Sequence, residues 1–303
     1  MQLKFYTLDV FTSTRFEGNP LAVVLGADGL DTTRMQAIAR EFNLSETVFV
    51  QTPGNPAHSA KVRIFTPAAE LPFAGHPTVG TAALLAELKA ADPDAPHEAI
   101  VILEETIGAI RVGVRMRPGS APYAEFDTPK LPEALGGLPP TDLLAEALSL
   151  TSREIGFENH KPSRYSAGVP YTFVPVASLA AIAKAAPDMR VWGPAFGESG
   201  HNAAYVYCRE TAHMTAQFHA RMFVPGQGVP EDPATGSAAA AFAGVVQRFD
   251  SLPDGSHKKI IEQGFEMGRP SLIELSLVLN AGKLATVRIG GHAVRVSEGL
   301  LEI

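Results

Sequence analysis

Short β-branched runs alternate along the chain with segments whose apolar residues recur every three or four positions. The runs at 5–9 and 22–25 predict strands. Asp31 is placed to cap a helix reaching Phe42, with Met35, Ile38, Ala39 and Phe42 on one face. Strand patterns return at 47–50 and 62–66, and a helix of small residues follows over 77–89. Two more strands are expected at 99–103 and 107–115, with a turn at Gly108. Residues 118–141 are rich in Pro and Gly and mark a boundary. Beyond it the style repeats: strands at 171–176, 203–207 and 215–222, then a helix over 236–249. Short strands at 272–279, 284–289 and 293–296 close the chain.

The repetition extends to the residues themselves. RIFTP at 63–67 echoes RMFVP at 221–225, an offset of 158, and Leu71-Pro72 then falls on Val229-Pro230. PTVGTAA at 77–83 echoes PATGSAA at 233–239, at an offset of 156. Three echoes in one order imply a duplication. Two similar domains are then expected to face each other about a pseudo-twofold axis, with the repeated turns at their junction, where small ligands tend to bind.

A chain of 303 residues, 46% hydrophobic, suits two domains. The net charge is -7 and no block of Lys and Arg stands out, so nucleic acid is not an expected partner. A small anion must then be held by a few local donors. Cys208 is the only cysteine; it permits no internal disulfide, sits in an apolar strand and reads as core. The first residues lack the apolar run of a signal peptide, and the uncharged stretch at 165–183 is broken by Pro170 and Pro175. A cytoplasmic protein with no membrane partner is expected.

Each copy of the repeated device reads as strand, turn, then a helix opened by Gly and small residues. The first turn of a helix leaves N–H groups unpaired at the positive end of the dipole. Gly75-His76 and Gly236-Ser237 would let a carboxylate approach that backbone. The plainer alternative is that Gly and Ser simply start helices. Glu46, beside Leu44, Val48 and Phe49, is a candidate general acid/base whose pKa desolvation would raise; the alternative is a solvated edge-strand Glu or a cap. His76 suits a second acid, a substrate donor or a plain helix-start residue. Asp232 suits a partner for His76 or an Asx turn. Glu70 suits a salt bridge with Arg63. No metal is expected: His97-Glu98 lacks a second His at helical spacing, and His213 and His219 have no acidic or Cys cluster near them in sequence. No GxGxxG follows a strand, so no nucleotide cofactor is expected.

DVFT at 9–12, GNPLAVV at 18–24, NLSET at 43–47, RIFTP at 63–67, ELPFAGHP at 70–77, EDPATGSAA at 231–239 and QG...MGRPS at 263–271 together resemble the phenazine-biosynthesis PhzF-like isomerase family. The resemblance runs in family order from near residue 5 to the last strand. It implies an α+β, diaminopimelate epimerase-like fold: two pseudo-symmetric domains, each a mixed sheet or barrel wrapped around a central helix. The domains are set at 1–122 plus 293–303, and 123–292, with the last strand returning to the first domain. The resemblance places the family's catalytic Glu on Glu46, its Gly-His on Gly75-His76, and its Asp and Gly-Ser on Asp232 and Gly236-Ser237. Asn19 of the Gly-Asn-Pro motif joins the substrate-binding set. It also implies a homodimer and no cofactor. In the phenazine enzyme the Glu moves a hydrogen between carbons of a hydroxylated dihydroanthranilate.

Two departures bear on chemistry. Ala74 and Thr235 stand where diaminopimelate epimerases carry their paired cysteines, so a two-thiol epimerisation is excluded. The SRYSAGVPY segment at 163–171 and Pro233 depart from the phenazine enzyme, so phenazine synthesis is not assigned. The expected activity is a cofactor-independent isomerisation of a small conjugated carboxylic acid, with Glu46 moving the proton in the inter-domain cleft. The alternatives are a non-catalytic carboxylate-binding protein and a hydrolase built on Ser237, His76 and Asp232.

Overall fold

A computed structural model describes residues 1–92, 95–197, 203–225 and 230–303. Contacts group the chain into two units: Met1–Asp127 with Gly290–Ile303, and Thr128–Ile289.

The first unit runs β1 (Gln2–Val10), β2 (Asn19–Val24), α1 (Thr32–Phe42), β3 (Glu46–Gln51), β4 (Ala60–Phe65), β5 (Glu70–Leu71), α2 (Gly75–Lys89), β6 (His97–Glu105), β7 (Gly108–Met116) and β8 (Tyr123–Asp127). The second runs β9 (Glu133–Leu135), α3 (Thr141–Ala147), β10 (Ser163–Ser166), β11 (Pro170–Pro175), α4 (Leu179–Lys184), α5 (Trp192–Phe196), β12 (Ala204–Cys208), β13 (Phe218–Phe223), β14 (Glu231–Asp232), α6 (Gly236–Phe249), β15 (Gly255–Gln263) and β16 (Ser271–Asn280). The last strand, β17 (Lys283–Glu302), begins in the second unit and ends in the first.

Each unit is a mixed sheet around one buried helix, an α+β architecture. Helix α2 is buried at every position from Gly75 to Ala86 and packs on β1, β2, β3, β6, β7 and β8. A helix apolar on all sides belongs inside a core. Helix α6 is its counterpart, packed on β9, β10, β11 and β16. Helix α1 has one apolar face instead. Asp31 caps it, accepting from Arg34 N at 2.8 Å. Met35 and Ala39 are buried, while Ile38 and Phe42 pack on the same cluster with Phe49 and Phe65.

The duplication is visible in strand pairing. β2 and β3 are parallel across α1, as β11 and β12 are across α4 and α5. β4 is antiparallel to β5 and parallel to β6; β13 is antiparallel to β14 and parallel to β15. Ala60 faces Leu103 and Lys61 faces Glu104; Phe218 faces Ile261 and His219 faces Glu262, all at the offset of 158. Even the loop anchors agree. Glu104 accepts from the amides of Gly54 and Asn55, and Glu262 from those of Ala212 and His213, again at 158.

Four expectations are corrected. First, the helix starts align at 161, not 156. Phe65 faces Glu70 and Phe223 faces Glu231, so ELPFAGHP lies on EDPATGSA, matching Glu70, Pro72 and Gly75 with Glu231, Pro233 and Gly236. Four residues separate Phe65 from Glu70 and seven separate Phe223 from Glu231, a three-residue insertion that shifts the register. This also removes the match of Leu71-Pro72 with Val229-Pro230, of which Val229 lies outside the described residues. Second, 284–289 and 293–296 form one strand. Gly290 and Gly291 fall between the two predicted strands and serve close packing: a Cβ there would sit 2.4 Å from Tyr123 Oη and 2.5 Å from Phe11 Cδ1. Third, residues 123–127 lie in the first unit because Tyr123 to Phe126 pair with β7. Fourth, the turn between β6 and β7 is at Thr106 and Ile107, and Gly108 opens β7.

The second unit holds a buried ionic cluster with a pH signature. His219 Nδ1 lies 2.5 Å from Glu262 and Nε2 lies 3.0 Å from Glu266. Burial pushes the imidazole down, but the two carboxylates outweigh it and hold its pKa up at about 9. A pKa raised in the folded state contributes stability that is present below about 6.5 and lost as pH rises through 9. The expected loss is on the order of 3 kcal/mol, at about 1.4 kcal/mol per unit. Urea unfolding between pH 6 and 10 should show it in wild type. It should be missing in His219→Gln; an identical pH profile in that variant would contradict the assignment.

Candidate active site

Glu46 opens β3, opposite Leu21 of β2. Two features fix that position. Asn43 ends α1 in the left-handed region (φ 50°), which turns the chain back toward the sheet. The parallel pairing with β2 then sets the register. Asn19 opens β2 and is fully buried. Gly18 before it is required: its φ is 67°, and a Cβ would sit 2.4 Å from Val10 O. The loop before Gly18 is shaped by Asp9, which accepts from Phe16 N at 2.6 Å.

His76 occupies the first turn of α2, with 4% of its side chain exposed. Its Nε2 lies 3.4 Å from Glu46 Oε2, and 16% of the Glu46 side chain is exposed. Burial pushes the imidazole down to about 3, while a hydrogen bond to the Pro20 carbonyl raises it. The ring is therefore neutral at ordinary pH. It spends its one N–H on Pro20, which leaves Nε2 as an acceptor facing the carboxyl. At 3.4 Å the two atoms are in contact but not hydrogen-bonded; a proton on Glu46 and a small approach would make the bond. Helix α2 has no side-chain cap at Ala74, so its first N–H groups receive nothing from the N-cap side chain.

The second unit carries the equivalent turn. Asp232 accepts from Thr235 Oγ1 at 2.6 Å. Gln263 Nε2 donates to Asp232 O (2.7 Å) and Thr235 Oγ1 (3.1 Å), and its Oε1 accepts from Thr235 N (3.2 Å). Helix α6 begins at Gly236, also without a side-chain cap. Ser237 Oγ is 2.7 Å from Tyr171 Oη. Near this group the Tyr205 hydroxyl is buried with no hydrogen-bond partner. Burial first, then the charges of Tyr171 and Asp232, push that phenol up.

Within the first unit the structure brings together Glu46 and His76; within the second it brings together Asp232, Thr235 and Ser237. Glu70 pairs with Arg63, at 2.7 and 2.6 Å, so it is a brace. Ser237 bonds a tyrosine, and the described histidines of its own unit are engaged elsewhere: His160 with Tyr207 and Asp250, His213 with Thr215, His219 with Glu262 and Glu266, and His257 with the Pro253 carbonyl. Among the described residues no group of three or more His, Cys, Asp or Glu side chains is arranged so that it could hold a metal ion. Sequence reasoning missed Gln263, Tyr205 and Tyr171 as site residues. Gln263 escaped because its bonds to Asp232 and Thr235 join residues 28 and 31 positions apart in the chain.

The family model for phenazine biosynthesis-like protein matches residues 8–299. An uncharacterized isomerase, mll1393, of Mesorhizobium japonicum is 54% identical over the full length of both chains. The trans-2,3-dihydro-3-hydroxyanthranilate isomerase of Pseudomonas chlororaphis is 38% identical over 98% of each. The crystal structure of a Bacillus anthracis phenazine biosynthesis protein of the PhzF family superposes with a TM-score of 0.89, at 25% identity over the whole of both chains. The chain belongs to the phenazine biosynthesis-like family and is an isomerase.

Proposed function

We propose that the chain moves a proton between carbons of a small conjugated carboxylic acid without a cofactor, with Glu46 as the general acid and base. The observation that carries this reading is the Glu46–His76 pair, in which a neutral imidazole presents an acceptor to the carboxyl. A Glu that takes a proton from carbon must hold it, oriented, until it is returned. His76 Nε2 is placed to hold the protonated form. An isolated C–H is too weak an acid for a carboxylate, so the anion must be delocalised into a conjugated carboxylate or enone. We assign Gly75, Gly236, Ser237 and Asn19 to binding the substrate, with Asp232 and His76 as the polar partners of the reacting group. Uncapped helix starts suit the charge that develops on the substrate carboxylate. A homodimer in the cytoplasm is part of this reading. Among the described residues no helix is long and apolar enough to cross a membrane.

The relatives named for trans-2,3-dihydro-3-hydroxyanthranilate make that compound the first to assay. Purified protein should convert it, or a related conjugated carboxylic acid, to a product of unchanged mass. Cleavage of a substrate into two fragments whose masses sum to that substrate plus one water would favour the Ser237 hydrolase. Saturable binding with no product would favour the carboxylate-binding protein.

A further inference from the structure

Glu105 ends β6, opposite Gly108, and is 7% exposed. Nothing in the proposed chemistry uses it. Thr78 Oγ1 lies 2.7 Å from Ala74 O and 2.7 Å from Glu105 Oε1. A hydroxyl has one hydrogen, so it cannot donate to both. The two contacts are satisfied together when the carboxyl donates to Thr78 and Thr78 donates to Ala74. Ala74 is the N-cap of α2, immediately before Gly75 and His76.

The duplication supplies an independent observation. At the offset of 158, Glu105 corresponds to Gln263. That amide donates to Thr235 Oγ1 and to Asp232 O, and Thr235 is the N-cap of α6. In the second unit the residue at this position bonds the cap of the central helix directly; in the first, Glu105 reaches the cap carbonyl through Thr78. Gln does so as a donor at any pH. Glu can do so only as the neutral acid. The second oxygen, Glu105 Oε2, is buried with no hydrogen-bond partner, which suits a carbonyl oxygen better than half of a carboxylate.

We propose that Glu105 is a positioning residue for the Gly75–His76 turn, acting as a neutral acid that donates through Thr78 to the Ala74 carbonyl. Burial agrees, raising its pKa to about 8, with the Thr78 bond pulling the other way. No charged side chain contributes to that shift. Its neighbour Glu104 on the same strand turns to His58 and the 54–55 amides, and Arg63 of β4 is held by Glu70. Lys61 of β4, Arg111 and Arg115 of β7, and His76, Glu87 and Lys89 of α2 lie on the other elements packed on β6. Ionisation removes the donated hydrogen. Thr78 must then turn to the carboxylate, and the Ala74 carbonyl loses its bond.

The inference rests on Gly75 and His76 being part of the active site, so its test has one arm that needs no substrate. In the full-length protein, carboxyl NMR should show Glu105 titrating near pH 8, and the amides of Gly75, His76 and Thr78 should shift with the same midpoint. The amide shifts should vanish in Glu105→Gln, whose side chain can donate at every pH. In wild type, kcat should fall about tenfold per unit above the midpoint, and Glu105→Gln should keep its activity across that range. Titration of Glu105 near 4.5, or an unchanged midpoint in Glu105→Gln, would overturn the proposal. The wild-type titration decides even where the variant does not fold. Failure to find any turnover would count against the isomerase reading and leave the NMR result to decide the role of Glu105.

Discussion

Glu46→Gln is expected to lower kcat by about 10²–10⁴-fold while leaving the fold and ligand binding nearly unchanged. Gln keeps the shape of Glu but cannot carry a proton between carbons. Its amide can still donate to His76 Nε2, so the buried imidazole keeps a partner and stability should change by less than about 1 kcal/mol. Because Glu46 sits at the first residue of β3, its backbone pairing with Leu21 is untouched. Steady-state kinetics beside a thermal melt checks both halves. Turnover within a few-fold of wild type would remove Glu46 from the chemistry.

The second large effect concerns the braces that hold the repeated turns. Arg221 binds Glu231 through two bonds of 2.8 Å, and its Nη1 donates to the carbonyls of Ile182, Ala183 and Ala185 at the end of α4. Arg63 binds Glu70 in the same bidentate way, and its other contact is to Thr32 Oγ1 at the start of α1. The geometries match but the burial differs. The Arg221 side chain is 9% exposed and its partner 15%, whereas Arg63 and Glu70 are 21% and 31% exposed. Arg221→Met strands a largely buried carboxylate and three carbonyls, so it should cost about 3–5 kcal/mol. Arg63→Met should cost about 1 kcal/mol, because water can replace its bonds. Equal losses in urea unfolding of the two variants would contradict this account.

The fold was legible where periodicity was strong. Helix α6 runs over 236–249 as its pattern predicts, and the Asp31 cap and buried face of α1 follow from local chemistry. The central helices were legible as small-residue runs, though their complete burial is a tertiary fact. What escaped the sequence has physical causes. The pattern separates a strand at 284–289 from one at 293–296, yet the missing side chains of Gly290 and Gly291 make room for Tyr123 and Phe11 inside one long strand. β15 was missed because its first half is polar and exposed. For the site, Glu46 and His76 were legible through motif, and their 3.4 Å contact was not, since it depends on how β3 and α2 pack. Glu105 was invisible: an acid in the Glu-Glu end of an otherwise apolar strand gives no sign that it will be buried beneath a helix start.

The measurement that tests the central claim most directly is deuterium uptake during turnover. Wild type and Glu46→Gln are incubated in D2O with trans-2,3-dihydro-3-hydroxyanthranilate and with a host metabolite extract, and products are followed by mass spectrometry. The account predicts an isomer of a carboxylic acid, carrying no more than one deuterium at the receiving carbon, formed by wild type and not by Glu46→Gln. The same isomer formed equally by both proteins would contradict it.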